Sequence, residues 1–178
     1  MNRGGGFITS MEDQTIAVCA AEEINRFTAV TDLIRIVNPS VQASKPSWFN
    51  GDYLQLNFGD VISEVDARSC NTHAPNINDI QSALEFTRNA WMNNNAMVVV
   101  SCDYGASRSP ALAYVLWADK LGVGRELEAF THILNIRPEA VPNNLVVYLG
   151  DLVLKRNNSL LKPLYDFNKM MMKSLGLQ

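Results

Sequence analysis

Cysteine is scarce in this chain of 178 residues: Cys19, Cys70 and Cys102 are the only three. An odd number at wide spacing, without a Cys-x-x-Cys pair, excludes a disulfide framework and a thiolate zinc site, and fits a reducing, cytoplasmic compartment. An excess of positive charge is also missing. The 15 Lys and Arg residues stand against 18 Asp and Glu, for a net charge of −3. Such a balance gives no electrostatic footprint for nucleic acid or an anionic membrane surface. No apolar run approaches the ~18 residues that span a bilayer, and Arg3 is followed by glycines in place of an apolar signal core. The two histidines, His73 and His132, lack a metal-ligating partner at useful spacing and are assigned no role. The run Gly4-Gly5-Gly6 lacks the Lys and Ser/Thr of a nucleotide loop, so residues 1–14 are expected to form a flexible N-terminus.

What remains is an ordinary globular composition, 47% apolar and 19% charged, of a length that suits one domain. The main domain is expected over residues 15–156, with 157–178 as a helical extension packed on it. TIAVCA (15–20) reads as a short buried strand, AAEEINRF as a polar helical turn and DLIRIVNP (32–39) as a second strand, a β-α-β opening. After a loop carrying Trp48 and Phe49, YLQLNF (53–58) alternates as a strand that ends at Gly59-Asp60. Residues 59–76 show no period and read as a surface loop. Ile80, Leu84, Thr87 and Trp91 then recur at helical spacing, and AMVVVS (96–101) is a continuous apolar run of strand length, the mark of a central strand covered on both faces. Helical patterns follow to the C-terminus, opened by Pro110 and Pro142 and interrupted by Pro138. Strands mixed with helices predict an α/β fold, a central and mostly parallel sheet flanked by helices.

The apolar run leads directly into CDYGASRS, Cys102 to Ser109. Cys-x5-Arg alone is a weak pattern, but adding Gly105 and Ser109 leaves about one chance in a thousand of coincidence. The other cysteines fail, because Asn25 and Asn76 stand where Arg is needed. A loop between a buried strand and a helix N-terminus can turn successive amides inward as an anion site, reinforced by the helix dipole. Gly105 supplies a backbone conformation that side chains resist, and Arg108 offers a planar fork for two phosphate oxygens. The same positive field favours a thiolate at Cys102, and Ser109 stands near enough in sequence to hydrogen-bond the sulfur.

These residues resemble the signature loop of the cysteine-dependent protein tyrosine phosphatases, in their small, dual-specificity-like branch. YLQLNFGDV is more weakly similar to the segment that carries that family's general acid, and PNNLVVYLGDLVL to a C-terminal helix of compact bacterial members. The resemblance implies the protein-tyrosine-phosphatase fold and a metal-independent, cofactor-free hydrolysis of phosphotyrosine, possible also on phosphoserine and phosphothreonine, through a phosphocysteine intermediate. Cys102 is then the nucleophile, Arg108 the oxyanion clamp, Asp60 the general acid with Asp66 as its rival, and Ser109 the group that helps the thiolate leave. Asp103, Tyr104, Gly105, Ala106, Ser107 and Arg108 line the phosphate. The expected partner is a phosphorylated protein or peptide. Ser101 departs from the family, which has His before the nucleophile. That departure keeps a second reading open, an inactive or weakly active phosphate-binding module. Cys70 would form a protective disulfide if it lay near Cys102, and Asp103 stands where a lipid-phosphate enzyme would want a base.

Overall fold

The computed structural model describes residues 14–174 and 176; the N-terminus expected to be flexible lies, apart from Gln14, outside the described residues. Gln14 itself donates to the carbonyls of Trp91 and Asn93 at 2.6 and 3.0 Å. Four strands, β1 (Thr15–Ala20), β2 (Asp32–Val37), β3 (Asp52–Asn57) and β4 (Met97–Cys102), form one sheet in the order β1-β4-β2-β3. Every pairing is parallel. The expected strands therefore form, yet β1 and β2 are not neighbours, because β4 lies between them. All six residues of β4 are buried, as suits a strand paired on both sides and covered on both faces. The link from β1 to β2 is only a 3-10 turn, Ala21–Arg26.

Alternation along β4 divides the core. Val98, Val100 and Cys102 point into the larger apolar cluster, while Met97 and Val99 join Ala17, Cys19, Leu33 and Phe49 on the other face. Helices α1 (Glu64–Ser69), α2 (Ile77–Ala90), α3 (Arg108–Leu121), α4 (Glu126–Ile136), α5 (Asn144–Leu154) and α6 (Leu161–Ser174) complete the chain. The larger cluster draws on α2 through α6; α6 contributes Leu161 and Leu164. Phe49 closes the opposite face, with Trp48 half exposed and edge-on against it at 5.9 Å. Helix α1 replaces part of the loop expected over residues 59–76. At six residues it is too short to show a period, and Ser63 caps it by accepting from the Asp66 amide. Among the described residues no helix is long and apolar enough to cross a membrane.

Helix α3 fixes the end of the sheet where chemistry is expected. Its residues Arg108 to Ala118 are all buried, so it is packed on every side. Pro110 falls in its first turn, where the amide would have no helical partner. Helix α5 approaches α3 at Gly150, where an added Cβ would meet both Val115 methyl carbons well inside van der Waals contact. Valine is stiff at χ1 and cannot swing aside cheaply. Gly150→Ala should therefore lower unfolding stability by about 1–3 kcal/mol, overriding the ~1 kcal/mol gain in helix propensity. Urea unfolding measures the difference, and a stabilised variant would show that α5 can move off α3.

Candidate active site

Five residues connect β4 to α3, and the chain must reverse direction within them. Gly105 makes this possible. Its φ is +66°, and a Cβ there would stand 2.6 Å from the Ala20 nitrogen and the Cys19 carbonyl carbon, both of which are backbone atoms that cannot yield. The loop's carbonyls are held from outside. The Asp103 oxygen accepts from the Ala21 amide at 3.3 Å, that of Ala106 from the Val141 amide at 2.8 Å, and that of Ser107 from the Asn143 amide at 3.2 Å. The Tyr104 oxygen accepts from the Arg137 guanidinium at 3.2 Å. Among the described residues no peptide is cis, and in a trans peptide the following N–H points opposite to the carbonyl. The amides of Tyr104, Gly105, Ser107 and Arg108 are thus turned to the inner side of the loop. Together with the N-terminus of α3, they form a concave set of donors suited to an oxyanion.

The sulfur of Cys102 ends β4 at 2% exposure and lies 3.1 Å from the Ser109 hydroxyl. Arg108 reaches under the loop with 4% of its side chain exposed. It donates from Nη1 to the Phe58 carbonyl at 3.1 Å and from Nη2 to Asp103 Oδ2 at 2.6 Å. Tyr104 stands outward, 81% exposed. Ser101 is fully buried and faces away from the loop, its hydroxyl against the Cys19 thiol of the neighbouring strand. Burial pushes that thiol up to about 12, so Cys19 stays protonated, and the Ser101 hydroxyl is itself buried without a hydrogen-bond partner among the described residues. Cys70 is exposed at the end of α1, and all three cysteines are free.

The two candidate acids, Asp60 and Asp66, and the nearby Asp79 are separated by their surroundings. Asp66 accepts from the Ser63 hydroxyl inside the α1 cap, and Asp79 accepts from the Asn76 amide in the α2 capping box. Asp60 meets the loop: its Oδ1 accepts from the Ser107 hydroxyl at 2.7 Å and from Asn143 Nδ2 at 2.9 Å. Asn143 was legible in the sequence only as part of the segment after Pro142. Its amide group also donates to the Val61 carbonyl at 3.1 Å, while its Oδ1 caps α5 by accepting from the Leu145 and Val146 amides at 3.0 and 3.1 Å. One buried side chain joins α5, the Asp60 loop and, through its backbone, the Cys102 loop. His73 is exposed, and His132 stacks on Trp117 with burial lowering its pKa. Among the described residues no group of three or more His, Cys, Asp or Glu is placed to hold a metal ion.

No protein-family model matches the sequence, and no curated protein matches it. Solved structures do. A mouse putative dual specificity phosphatase complexed with zinc tungstate superposes at a TM-score of 0.62 and 17% identity, covering 89% of this chain and 92% of that one. Human DUSP28 gives a TM-score of 0.59 at 19% identity, with 84% and 96% covered. PTPMT1 in complex with PI(5)P gives 0.57 at 13%, with 82% and 92% covered. At these identities the likeness is one of architecture: the chain has the fold of the dual-specificity and tyrosine phosphatases, as its loop implied.

The double use of Asn143 generates a separable prediction. Asn143→Ala removes cap and clamp together and should cost about 1–3 kcal/mol. Asn143→Asp keeps an equally good cap but turns the donor to Asp60 and Val61 into an acceptor. In that variant, hydrogen exchange should rise over residues 60–63 while α5 keeps its protection. Equal loosening of both segments would mean that the clamp has no independent effect.

Proposed function

We propose that this protein is a cysteine-dependent phosphatase that hydrolyses phosphotyrosine in proteins, with phosphoserine and phosphothreonine as secondary substrates. The observation that carries this reading is the cradle itself, a buried thiol at the foot of inward-turned amides, with the Arg108 guanidinium alongside and Asp60 tied to the same loop. In the first step the Cys102 sulfur attacks phosphorus in line, an S–P bond forms and the P–O bond to the tyrosine breaks. Asp60 gives its proton to the departing oxygen. The loop amides and Arg108 stabilise the equatorial oxygens as charge moves onto them. In the second step water attacks phosphorus, Asp60 takes its proton, and the S–P bond breaks. Ser109 donates to the sulfur as it leaves, and inorganic phosphate is released. Both donors to Asp60 engage Oδ1, which supports Oδ2 as the oxygen that handles the proton. The ring of Tyr104 offers an aromatic contact to substrate beside the opening.

A second reading keeps the cradle but not the turnover: a phosphoprotein-binding module. Ser101 in place of the family's histidine favours it, since that hydroxyl is buried without a hydrogen-bond partner and lends nothing to the loop.

One set of assays separates the two. With EDTA present, wild type should hydrolyse p-nitrophenyl phosphate, Cys102→Ser should not, and Arg108→Lys should lose about 100- to 1000-fold, because a point charge cannot reproduce the fork. Phosphate binding without turnover in wild type would establish the module, and loss of activity to EDTA would overturn the thiolate mechanism. Asp60→Asn should impair a phosphotyrosine peptide far more than p-nitrophenyl phosphate, whose leaving group needs little protonation. Equal losses on both substrates, or a selective loss only in Asp66→Asn, would remove Asp60 from the role of acid.

A further inference from the structure

Arg108 is nearly sealed from water, and its three nitrogens are not equally used. Nη1 is committed to the Phe58 carbonyl. Nε and Nη2 lie along one edge of the guanidinium, the edge that matches two oxygens of a tetrahedral oxyanion. Of this pair, Nη2 is held by Asp103 at 2.6 Å, while Nε is buried without a protein partner. Asp103 is the residue next to Cys102, belongs to the loop itself and is 40% exposed at its side chain. Its carboxylate therefore sits on one prong of the fork and leaves the other open.

We propose that Asp103 is a resident counter-ion of the Arg108 fork, which an incoming phosphate must displace, and that it thereby sets the affinity of the site for oxyanions. This rests on the reading of the Cys102 loop as an anion site. A buried guanidinium with no anion beside it is costly, so the carboxylate stabilises the empty loop. When a phosphoryl dianion arrives, its oxygens take Nε and Nη2 together. Asp103 then loses its hydrogen bond and is left as a like charge close to the ligand. Its partial exposure lets it swing into water, where the charge is solvated. The site consequently binds weakly any ligand that brings only a phosphate, and depends on contacts from the rest of the substrate to complete the exchange. The sequence showed this carboxylate only as an acid where a lipid-phosphate enzyme would want a base; in the structure it acts on the clamp itself.

The test is direct binding of tungstate, a tetrahedral dianion, followed by calorimetry in the Cys102→Ser background so that the thiol plays no part. Asp103→Asn and Asp103→Ala should each tighten tungstate binding by roughly ten- to hundredfold, the range of one charged hydrogen bond released. In Arg108→Lys that gain should largely vanish, since there is no fork left to uncover. Unchanged or weaker binding in the Asp103 variants would overturn the proposal and make Asp103 a prop for Arg108. A gain that persists in full with Arg108→Lys would also overturn it, by reducing the effect to general charge relief. If no form of the protein binds tungstate, the anion-site reading falls first and takes the counter-ion with it.

Discussion

A five-residue loop can turn its amides inward only if something outside it accepts the task of satisfying its carbonyls. That constraint organises the end of this molecule. The 3-10 turn after β1 supplies the Ala21 amide, and the segment between α4 and α5 supplies Arg137, Val141 and Asn143. Gly105 brings the loop within backbone contact of β1, so the strand end acts as a floor. Without these partners the peptide groups would rotate to hydrate their carbonyls, and the donor set would collapse. The segment from 137 to 143 is therefore as much a part of the site as the loop, although it carries no reactive atom.

The clamp on Asp60 extends the same economy. Ser107 belongs to the loop and Asn143 to the cap of α5, and both converge on a single carboxylate oxygen. The position of the acid is thus referenced to the nucleophile's own loop instead of to a distant strand. Arg137 is held in turn by Glu23 at 3.0 Å, and Glu23 also accepts from the Ala20 amide at 2.8 Å, so the floor and the outer support are tied to each other.

Much of this was legible beforehand, and the reasons differ by element. The strand before Cys102 showed itself because a central parallel strand must be apolar on both faces, and the loop because Gly105, Arg108 and Ser109 each answer a separate physical demand. The fold of the tyrosine phosphatases followed from that resemblance. Strand order was not legible: β4 between β1 and β2 is a long-range arrangement that leaves no mark on local periodicity. Helix α1 escaped because six residues cannot display a repeat. Asn143 escaped because an N-cap residue looks the same whether or not its second polar atom has a distant partner, and Asp103 because sequence gives its charge but not its neighbour.

The burial of Cys19 has a use beyond the site. Its sulfur sits in the smaller apolar cluster at 1% exposure and stays protonated, one strand position away from the register partner of Cys102. A thiol reagent applied to the folded chain meets Cys70 freely, yet reaches Cys19 only when the side chains covering that face of the sheet, Ile24 and Phe49 among them, open. Its rate of modification is then a clock for the opening of that layer, read at a native residue without any introduced label. Because Gly105 rests on the same stretch of β1 backbone, that clock reports the moments when the strand beneath the loop loses its cover.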